Sequence, residues 1–283
     1  MLKRSITRAL AWSALVFLLL GPACSTANRT LTKHVSVESR KSLAAGDFEK
    51  ALSGFREAAK NNPGGLELTA NYLRTVEEIK QAADRSRDQR DYARAGGIYR
   101  ILWDNYANFG SFAAKLTFKK AYLETALKEC RIAAVDNPAA QAVKAGNFAR
   151  AIDLFQAAFK VNPADAELTA KYRRTVNEIK ATADDSFGAE DFARAGVVNV
   201  LLLTNFASFE GLKPPVAFDR ETLNDAVAAC RESLTKTGLT EYRKGNLAKA
   251  IAVWEGLLSF DPDNAEIKKA VNTAKTQLAG IKK

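Results

Sequence analysis

One pattern of small and large apolar residues occurs three times in this chain and constrains its fold more than any other feature. The clearest copy spans residues 145–163, and related copies span residues 45–63 and 244–262. In each copy a glycine precedes apolar residues that recur every three or four positions, and a proline follows them. This order predicts a tight turn, an amphipathic helix and a helix stop. The repeated positions are Gly46, Ala51, Phe55 and Pro63; Gly146, Ala151, Phe155 and Pro163; and Gly245, Ala250, Trp254 and Pro262.

A longer repetition contains the first two copies. Residues 45–131 are identical to residues 145–231 at 37 of 87 positions without a gap. The chain is therefore an internal duplication of a unit of about 100 residues, followed by a partial third copy. A weaker version of the same pattern begins within each unit at Asp91 and at Asp191. We assign the first repeat unit to residues 34–137, the second to residues 138–237 and the third, partial repeat with a capping helix to residues 238–283.

The spacing Gly-x-Phe-x-x-Ala-x-x-x-Phe-x-x-Ala-x-x-x-x-Pro resembles the second half of a tetratricopeptide repeat. This resemblance implies an all-α, superhelical solenoid of antiparallel helix pairs, in which each pair must stack on the next. It also implies a binding scaffold whose concave groove is lined by the first helix of each pair. An ordinary bundle of similar helices is the alternative. The repeat here is longer than the tetratricopeptide period of about 34 residues, which predicts extended helices and one extra helix per unit.

Apolar periodicity predicts about twelve helices and no strand. We expect Pro138 and Pro163 to stand where new helices open, and Trp103 to anchor the core. The predicted helical ranges are 35–45, 48–60, 66–88, 91–107, 116–135, 138–145, 148–160, 164–187, 191–207, 219–237, 247–260 and 265–278.

Residues 1–23 have the features of a secretory signal peptide. The basic residues Lys3, Arg4 and Arg8 precede an uncharged apolar run over residues 9–20. That run is shorter than the roughly 20 residues that a membrane-spanning helix needs. Removal of this segment lowers the formal net charge from +10 to +7. The remaining basic residues are spread along the predicted helices, which is typical of a solvated surface, although attraction of anionic envelope components is the alternative.

Cys24 follows a small residue at the end of this segment, and the arrangement resembles a bacterial lipoprotein signal. The resemblance implies cleavage before Cys24 and lipid attachment to it. The following serine, by the same resemblance, implies the outer membrane. Residues 24–33 then form a polar tether. Gly21 and Pro22 depart from the usual signal, so ordinary cleavage near Ala23 or Ala27 and a soluble periplasmic protein are the alternative.

The sequence offers little for catalysis or metal binding. His34 is the single histidine and lies outside every repeat, so we expect it to be exposed and without a role. Cys130 and Cys230 are duplicates within apolar helical patterns, and we expect two buried thiols rather than a disulfide. No phosphate loop, nucleophile elbow or metalloprotease motif is present, and no nucleic-acid recognition motif is found. We therefore expect no enzyme activity, no cofactor, no metal and no nucleic-acid partner.

The best candidate for a binding surface is the helix over residues 67–80, which is identical to residues 167–180 at 11 of 14 positions. Its tyrosines are expected to offer amphipathic contacts and its basic residues to hold a carboxylate of a bound segment. The alternative is that these polar residues, such as Arg74 and Glu78, form surface ion pairs four positions apart. The candidate residues are Tyr72, Arg74, Lys80, Tyr172, Arg174 and Lys180.

These features lead to one functional expectation. We expect a non-catalytic interaction scaffold of the bacterial cell envelope, anchored to the outer membrane and facing the periplasm, that aids assembly of an envelope complex by binding another envelope protein. A module that binds cell-wall glycan is the alternative. It would be favoured by basic and aromatic residues that converge in the groove.

Overall fold

The computed structural model describes residues 21–61 and 65–281. In those ranges the chain forms eleven α-helices and two 3-10 segments, without a strand, which confirms the predicted all-α fold. The helices are α1 (Gly21–Ala44), α2 (Phe48–Asn61), α3 (Leu66–Asp88), α4 (Tyr92–Asn105), α5 (Lys120–Lys144), α6 (Phe148–Val161), α7 (Ala166–Gly188), α8 (Phe192–Asn205), α9 (Arg220–Arg243), α10 (Leu247–Leu258) and α11 (Ala265–Ile281). The 3-10 segments are Tyr106–Lys115 and Phe206–Ser208.

Most helices pack mainly on their neighbours in the chain, with the closest pairing between α9 and α10, α8 and α9, α3 and α4, α1 and α2, and α7 and α8. This is the helical repeat that the sequence predicts. The chain divides into a first compact unit that ends at Ala134 and a second, Val135–Lys283, each with its own buried core. The second compact unit therefore contains both the second repeat unit and the partial third copy.

The turn that joins two paired helices has the same backbone geometry at five places. In the turn before α6, Gly146 has a left-handed φ of 73°, and the Asn147 N–H donates to the Ala142 carbonyl. This is the Schellman motif that ends many helices. The Asn147 side chain then accepts a hydrogen bond from the Arg150 N–H and caps α6. The five left-handed residues are Gly46, Arg90, Gly146, Glu190 and Gly245.

Because a Cβ atom strains left-handed backbone, exchanging the residue types at two of these turns should have opposite effects. We expect Gly146→Ala to lower the free energy of unfolding by about 1 kcal/mol and Glu190→Gly to raise it by somewhat less. An added Cβ at Gly146 meets no atom within 4 Å, so crowding does not complicate the comparison. Urea unfolding followed by far-ultraviolet circular dichroism measures both values, and a shift of the same sign in both variants would contradict this account.

The small and large apolar residues that recur in each copy lie in the core. The alanines let paired helices approach closely, and the aromatic side chains fill the space between helices. Ala51, Ala151 and Ala250 are fully buried, and Phe55, Phe155 and Trp254 are at most 4% exposed. These small and aromatic residues of the repeated pattern therefore lie in the core.

The prolines that follow the repeated helices do not occupy the first helical position that the sequence predicted. Pro163 is exposed and lies in a four-residue turn, closed by a hydrogen bond from the Asp165 N–H to the Asn162 carbonyl. Pro262 lies in the same kind of turn before α11. Proline suits the second position of such a turn because its φ is fixed there. Asp165, rather than the proline, caps α7, and Pro63 lies outside the described residues.

Helix α5 corrects a second prediction about proline. The sequence predicted a helix that ends at residue 135 and another that opens at Pro138, whereas one helix runs through both and contains Pro138. Helical apolar spacing continues past the proline, since Ala139 and Ala142 are buried in the core of the second compact unit. Proline removes one backbone hydrogen bond, and burial on both sides of it offsets that loss. In the same way α9 continues through Gly238 to Arg243.

Helix α1 corrects the predicted tether. Residues 24–33 were expected to be a polar tether before a helix over residues 35–45, but the described helix begins at Gly21 and ends at Ala44. Its packed face includes Thr32, Ser39 and Ser42, which are at most 7% exposed. Small hydroxyl side chains at this spacing allow a polar sequence to pack as a helix, which hydropathy alone did not indicate.

Candidate functional site

The two tyrosines predicted to contact a partner are core residues, so that part of the predicted site is wrong. Tyr72 is 2% exposed, and its ring stacks on Phe55 at 5.2 Å and packs against Phe112 at 4.9 Å between ring centroids. Tyr172 is fully buried and stacks on Phe155 in the same geometry. Aromatic residues of the loops that begin with the 3-10 segments cover this face of α3 and of α7. They fill the position that the resemblance assigned to a bound segment.

The hydroxyl groups of these two tyrosines differ in a way that can be measured. The Tyr172 hydroxyl is 2.9 Å from the Ser208 hydroxyl, whereas the Tyr72 hydroxyl is buried without a partner among the described residues. Burial raises the pKa of Tyr72 to about 12. A buried hydroxyl that makes no hydrogen bond costs free energy, and one that is bonded contributes about 1 kcal/mol.

We therefore expect Tyr172→Phe to lower the free energy of unfolding by about 1 kcal/mol. Tyr72→Phe should leave that free energy unchanged or raise it, because it removes only the unpaired hydroxyl. Each variant is the matched control for the other, since both rings keep their stacking partners. Urea unfolding measures both, and an equal loss in the two variants would show that the Tyr72 hydroxyl has a partner.

The four basic residues of the predicted surface divide into two groups. Lys80 lies 2.6 Å from the Asp84 carboxylate, and Lys180 forms the equivalent ion pair with Asp184. These lysines bind a carboxylate of their own helix. Arg74 and Arg174 are exposed.

The predicted ion pairs four positions apart do not form either. Arg174 lies 3.7 Å from Asp136, and among the described ion pairs neither arginine bonds to the glutamate four residues later in its helix. Of the six predicted binding residues, the two arginines alone remain candidates for contact with a partner.

Asp84 is the centre of a polar network in the first compact unit. Its carboxylate accepts hydrogen bonds from the hydroxyls of Tyr99 at 2.6 Å and Tyr122 at 2.9 Å, in addition to the Lys80 contact. Burial alone raises the pKa of Asp84, but these three donors outweigh it, so the net pKa is lowered. The Lys80 ammonium also lies 5.0 Å from the centre of the Tyr122 ring. The network joins α3, α4 and α5.

The second unit lacks this network although it keeps the central carboxylate and its lysine. The residues equivalent to Tyr99 and Tyr122 are Asn199 and Thr222. Asn199 is 1% exposed, and its side-chain oxygen has no partner among the described residues. The duplication therefore preserved the helices while the polar interior of the two copies diverged.

An open pocket of about 570 Å³ lies at the turn end of the first two helix pairs, and three arginine side chains line it. Arg40 comes from α1, Arg85 from α3 and Arg94 from α4, and all three are exposed. None of these guanidinium groups forms an ion pair with a described carboxylate. The rest of this arginine pocket is lined mainly by Leu43, Phe48, Glu78, Gln81 and Ala82.

Two of the three arginines are replaced at the equivalent positions of the second unit, and the third is kept. Residues 100 positions later are Ala140, Asp185 and Arg194 in place of Arg40, Arg85 and Arg94. The third copy has a corresponding pocket of about 450 Å³, which lies between Tyr242, Leu247 and Ile281 and has an apolar lining with one arginine. The turn ends of the first and third copies thus both carry a pocket, and their residues give the two pockets different charge. Comparing the positions at which the duplicates differ was the sequence signal that could have found it.

Trp103 is half-buried rather than a full core anchor. Its ring lies at the edge of a more apolar pocket of about 630 Å³ between α4 and α5. The Arg100 guanidinium and the Lys120 ammonium lie 5.2 and 4.7 Å from the ring centre. Basic and aromatic groups therefore converge here, but both cations already form cation–π contacts with the Trp103 ring.

The cysteines and the single histidine discussed in the sequence analysis have the following positions. Cys130 and Cys230 are buried free thiols, as predicted, and burial raises the pKa of Cys230 to about 11, which keeps it in the unreactive thiol form. His34 is exposed on α1. Cys24 lies in the first turns of α1. Among the described helices, none combines the length and apolar character needed to span a membrane.

Comparison with known proteins does not assign the chain to a family. No protein-family model matches the sequence, and no curated protein is similar to it.

Proposed function

We propose that this protein is a non-catalytic scaffold of the bacterial cell envelope, whose tetratricopeptide-like helix pairs bind a segment of another envelope protein. The observation that carries the proposal is the duplicated array of paired helices, which exposes equivalent polar positions on α3 and α7. A stack of helix pairs buries one face of each pair and leaves an extended surface for a partner. Arg74 and Arg174 are the exposed members of that surface from the predicted set.

Site-specific photo-crosslinking in cells tests the scaffold. A photoreactive amino acid at Arg74 or Arg174 should yield a covalent adduct with one and the same envelope protein. The same group at Lys50, an exposed residue on α2, is the control and should give no such adduct. If all three positions give only the uncrosslinked chain at native expression, the scaffold function is rejected.

The proposed location is the periplasmic face of the outer membrane, through a lipid on Cys24, with a soluble periplasmic adaptor as the alternative. The helical course of α1 supports a short connection. At 1.5 Å per residue, Cys24 lies only about 12 Å along the helix from Thr32, the first buried side chain described. Mass spectrometry of the mature N-terminus distinguishes the two locations. A diacylated and N-acylated Cys24 is expected, whereas an unmodified Cys24 or a free amine on Asn28 removes the anchor.

Binding of cell-wall glycan is the second candidate, and the convergence of Trp103 with Arg100 and Lys120 favours it. An aromatic ring can stack on a sugar, but here the ring is already engaged by two cations. Sedimentation with purified peptidoglycan tests this candidate. Trp103→Ala must abolish co-sedimentation if the glycan binds at this ring, and co-sedimentation that salt removes without any effect of Trp103→Ala indicates nonspecific attraction.

A further inference from the structure

We propose that the arginine pocket of the first compact unit binds an acidic segment of the partner protein, in which carboxylate and apolar side chains are interspersed. This inference rests on the proposed scaffold function and names the chemistry of the segment that the scaffold takes. It also moves the expected contact from the middle of α3 to the turn end of α1, α3 and α4.

The charge of the pocket is the first argument. Arg40, Arg85 and Arg94 are opposed only by Glu78, so the lining carries a formal charge of +2. Surface arginines commonly pair with a carboxylate of the same chain, yet these three guanidinium groups have no described carboxylate partner. A guanidinium group presents its donors in a planar fork that matches a carboxylate in two hydrogen bonds. Several such groups in one concave surface favour an anionic ligand over a neutral one.

The rest of the lining selects among anions. Leu43, Phe48 and Ala82 supply apolar surface, and Gln81 supplies an amide that can bond to a peptide backbone. Glu78 repels a densely charged phosphate polymer, but it can be accommodated between separated carboxylates. A peptide with acidic and apolar side chains matches all three features. The volume of about 570 Å³ lies in the range typical of ligand pockets, which suits a few residues of such a peptide.

The duplication supplies an internal comparison. At the equivalent positions of the second unit the lining residues include Ala140, Lys144, Glu178, Asp185 and Arg194, whose formal charges cancel. The backbone turn is the same in both units, since Gly46 and Gly146 share their left-handed conformation. The positive charge is therefore a property of the first copy and is not required by the fold.

Fluorescence anisotropy with a labelled peptide of alternating Glu and Leu tests the proposal on the full mature chain. The peptide is compared with a matched one that carries Gln in place of Glu. We expect the acidic peptide to bind at least ten times more tightly, with an affinity that falls as salt screens the charges. Equal binding of the two peptides would overturn the proposal.

Two exchange variants locate the site. Arg40→Ala combined with Arg85→Asp gives the first unit the residues of the second, and should weaken binding of the acidic peptide at least tenfold. Lys50→Ala combined with Lys115→Asp makes the same change in net charge at other exposed positions, and should have little effect. If both double variants weaken binding equally, the attraction is a general effect of net charge and the pocket is not the site.

The reverse exchange tests whether a second binding site can be created. Ala140→Arg combined with Asp185→Arg places the arginines on the second unit, where both positions are exposed. We expect the number of peptides bound per chain to rise from one to two, which loss of folding could not produce. An unchanged stoichiometry would show that the arginines alone do not create the site.

Two further measurements identify the kind of anion that binds and distinguish failure of the pocket proposal from failure of the scaffold function. Polyphosphate and vesicles of anionic phospholipid are tested in place of the peptide. If either binds more tightly than the peptide, and this binding is lost in the Arg40/Arg85 double variant, the ligand of the pocket is a phosphate group and the acidic-peptide proposal is wrong. If crosslinking from Arg74 and Arg174 captures a partner but the peptide does not bind, the pocket proposal fails and the scaffold function stands. If the peptide binds but no partner is captured in cells, the scaffold function fails and the anion site stands.

Discussion

Gly238→Ala is expected to lower the free energy of unfolding of the second compact unit by about 2–3 kcal/mol, the size of effect that overpacking a core produces. A Cβ atom at Gly238 would lie 2.2 Å from Nε1 and 2.5 Å from Cδ1 of Trp254. The indole is 4% exposed and lies in the core of this unit, so moving it would disturb the packing of its neighbours. The strain exceeds the gain of about 1 kcal/mol that alanine usually brings to a helix interior.

Gly97→Ala is the matched control for this variant. Gly97 also lies inside a helix, but an added Cβ there meets no atom within 4 Å. We expect this variant to raise the free energy of unfolding by about 0.5–1 kcal/mol, because alanine favours the helix. Urea unfolding monitored by circular dichroism and by tryptophan fluorescence measures both. A stabilised Gly238→Ala variant would show that α9 and α10 are not in close contact.

Asp84→Asn is expected to lower the free energy of unfolding by about 2–3 kcal/mol at pH 7. Hydrogen bonds to a charged group contribute more than neutral ones, and removal of the carboxylate would leave the partly buried Lys80 without a counter-charge. Asp184→Asn is the control. Its carboxylate keeps the lysine contact, but its side chain is 59% exposed and the tyrosines are absent. We expect the control to lose less than half as much.

The pH dependence of the Asp84 effect has a defined sign. Burial raises the pKa of Asp84, but hydrogen bonds from Lys80, Tyr99 and Tyr122 outweigh this effect. The pKa is therefore lower in the folded protein than in the unfolded chain. A lowered pKa contributes stability above the unfolded value of about 3.9 and loses it as pH falls through the folded value. The difference between the natural protein and Asp84→Asn should therefore be constant between pH 5 and pH 7 and shrink toward pH 3. A difference that grows in acid would contradict the assigned ionised state.

The sequence alone determined much of the local structure. Helix α3 was predicted over the residues where it lies, and the turn glycines adopt the left-handed backbone that their position indicated. These features depend on local backbone chemistry and on apolar spacing within one helix, and both can be read from neighbouring residues. The buried thiols at Cys130 and Cys230 were predicted for the same reason.

The tertiary structure decided which side chains are available to a ligand. From sequence, Tyr72 and Lys80 were candidate contacts for a bound segment, but loop aromatics cover the tyrosine, and the lysine bonds to Asp84. The continuation of α5 through Pro138 likewise depends on burial of Ala139 and Ala142, which outweighs a local helix-breaking signal. The three arginines of the pocket come from three helices and lie up to 54 positions apart in the sequence. Helical periodicity reports which face of one helix is apolar, whereas a pocket depends on how several helices pack, and that arrangement is fixed by long-range contacts.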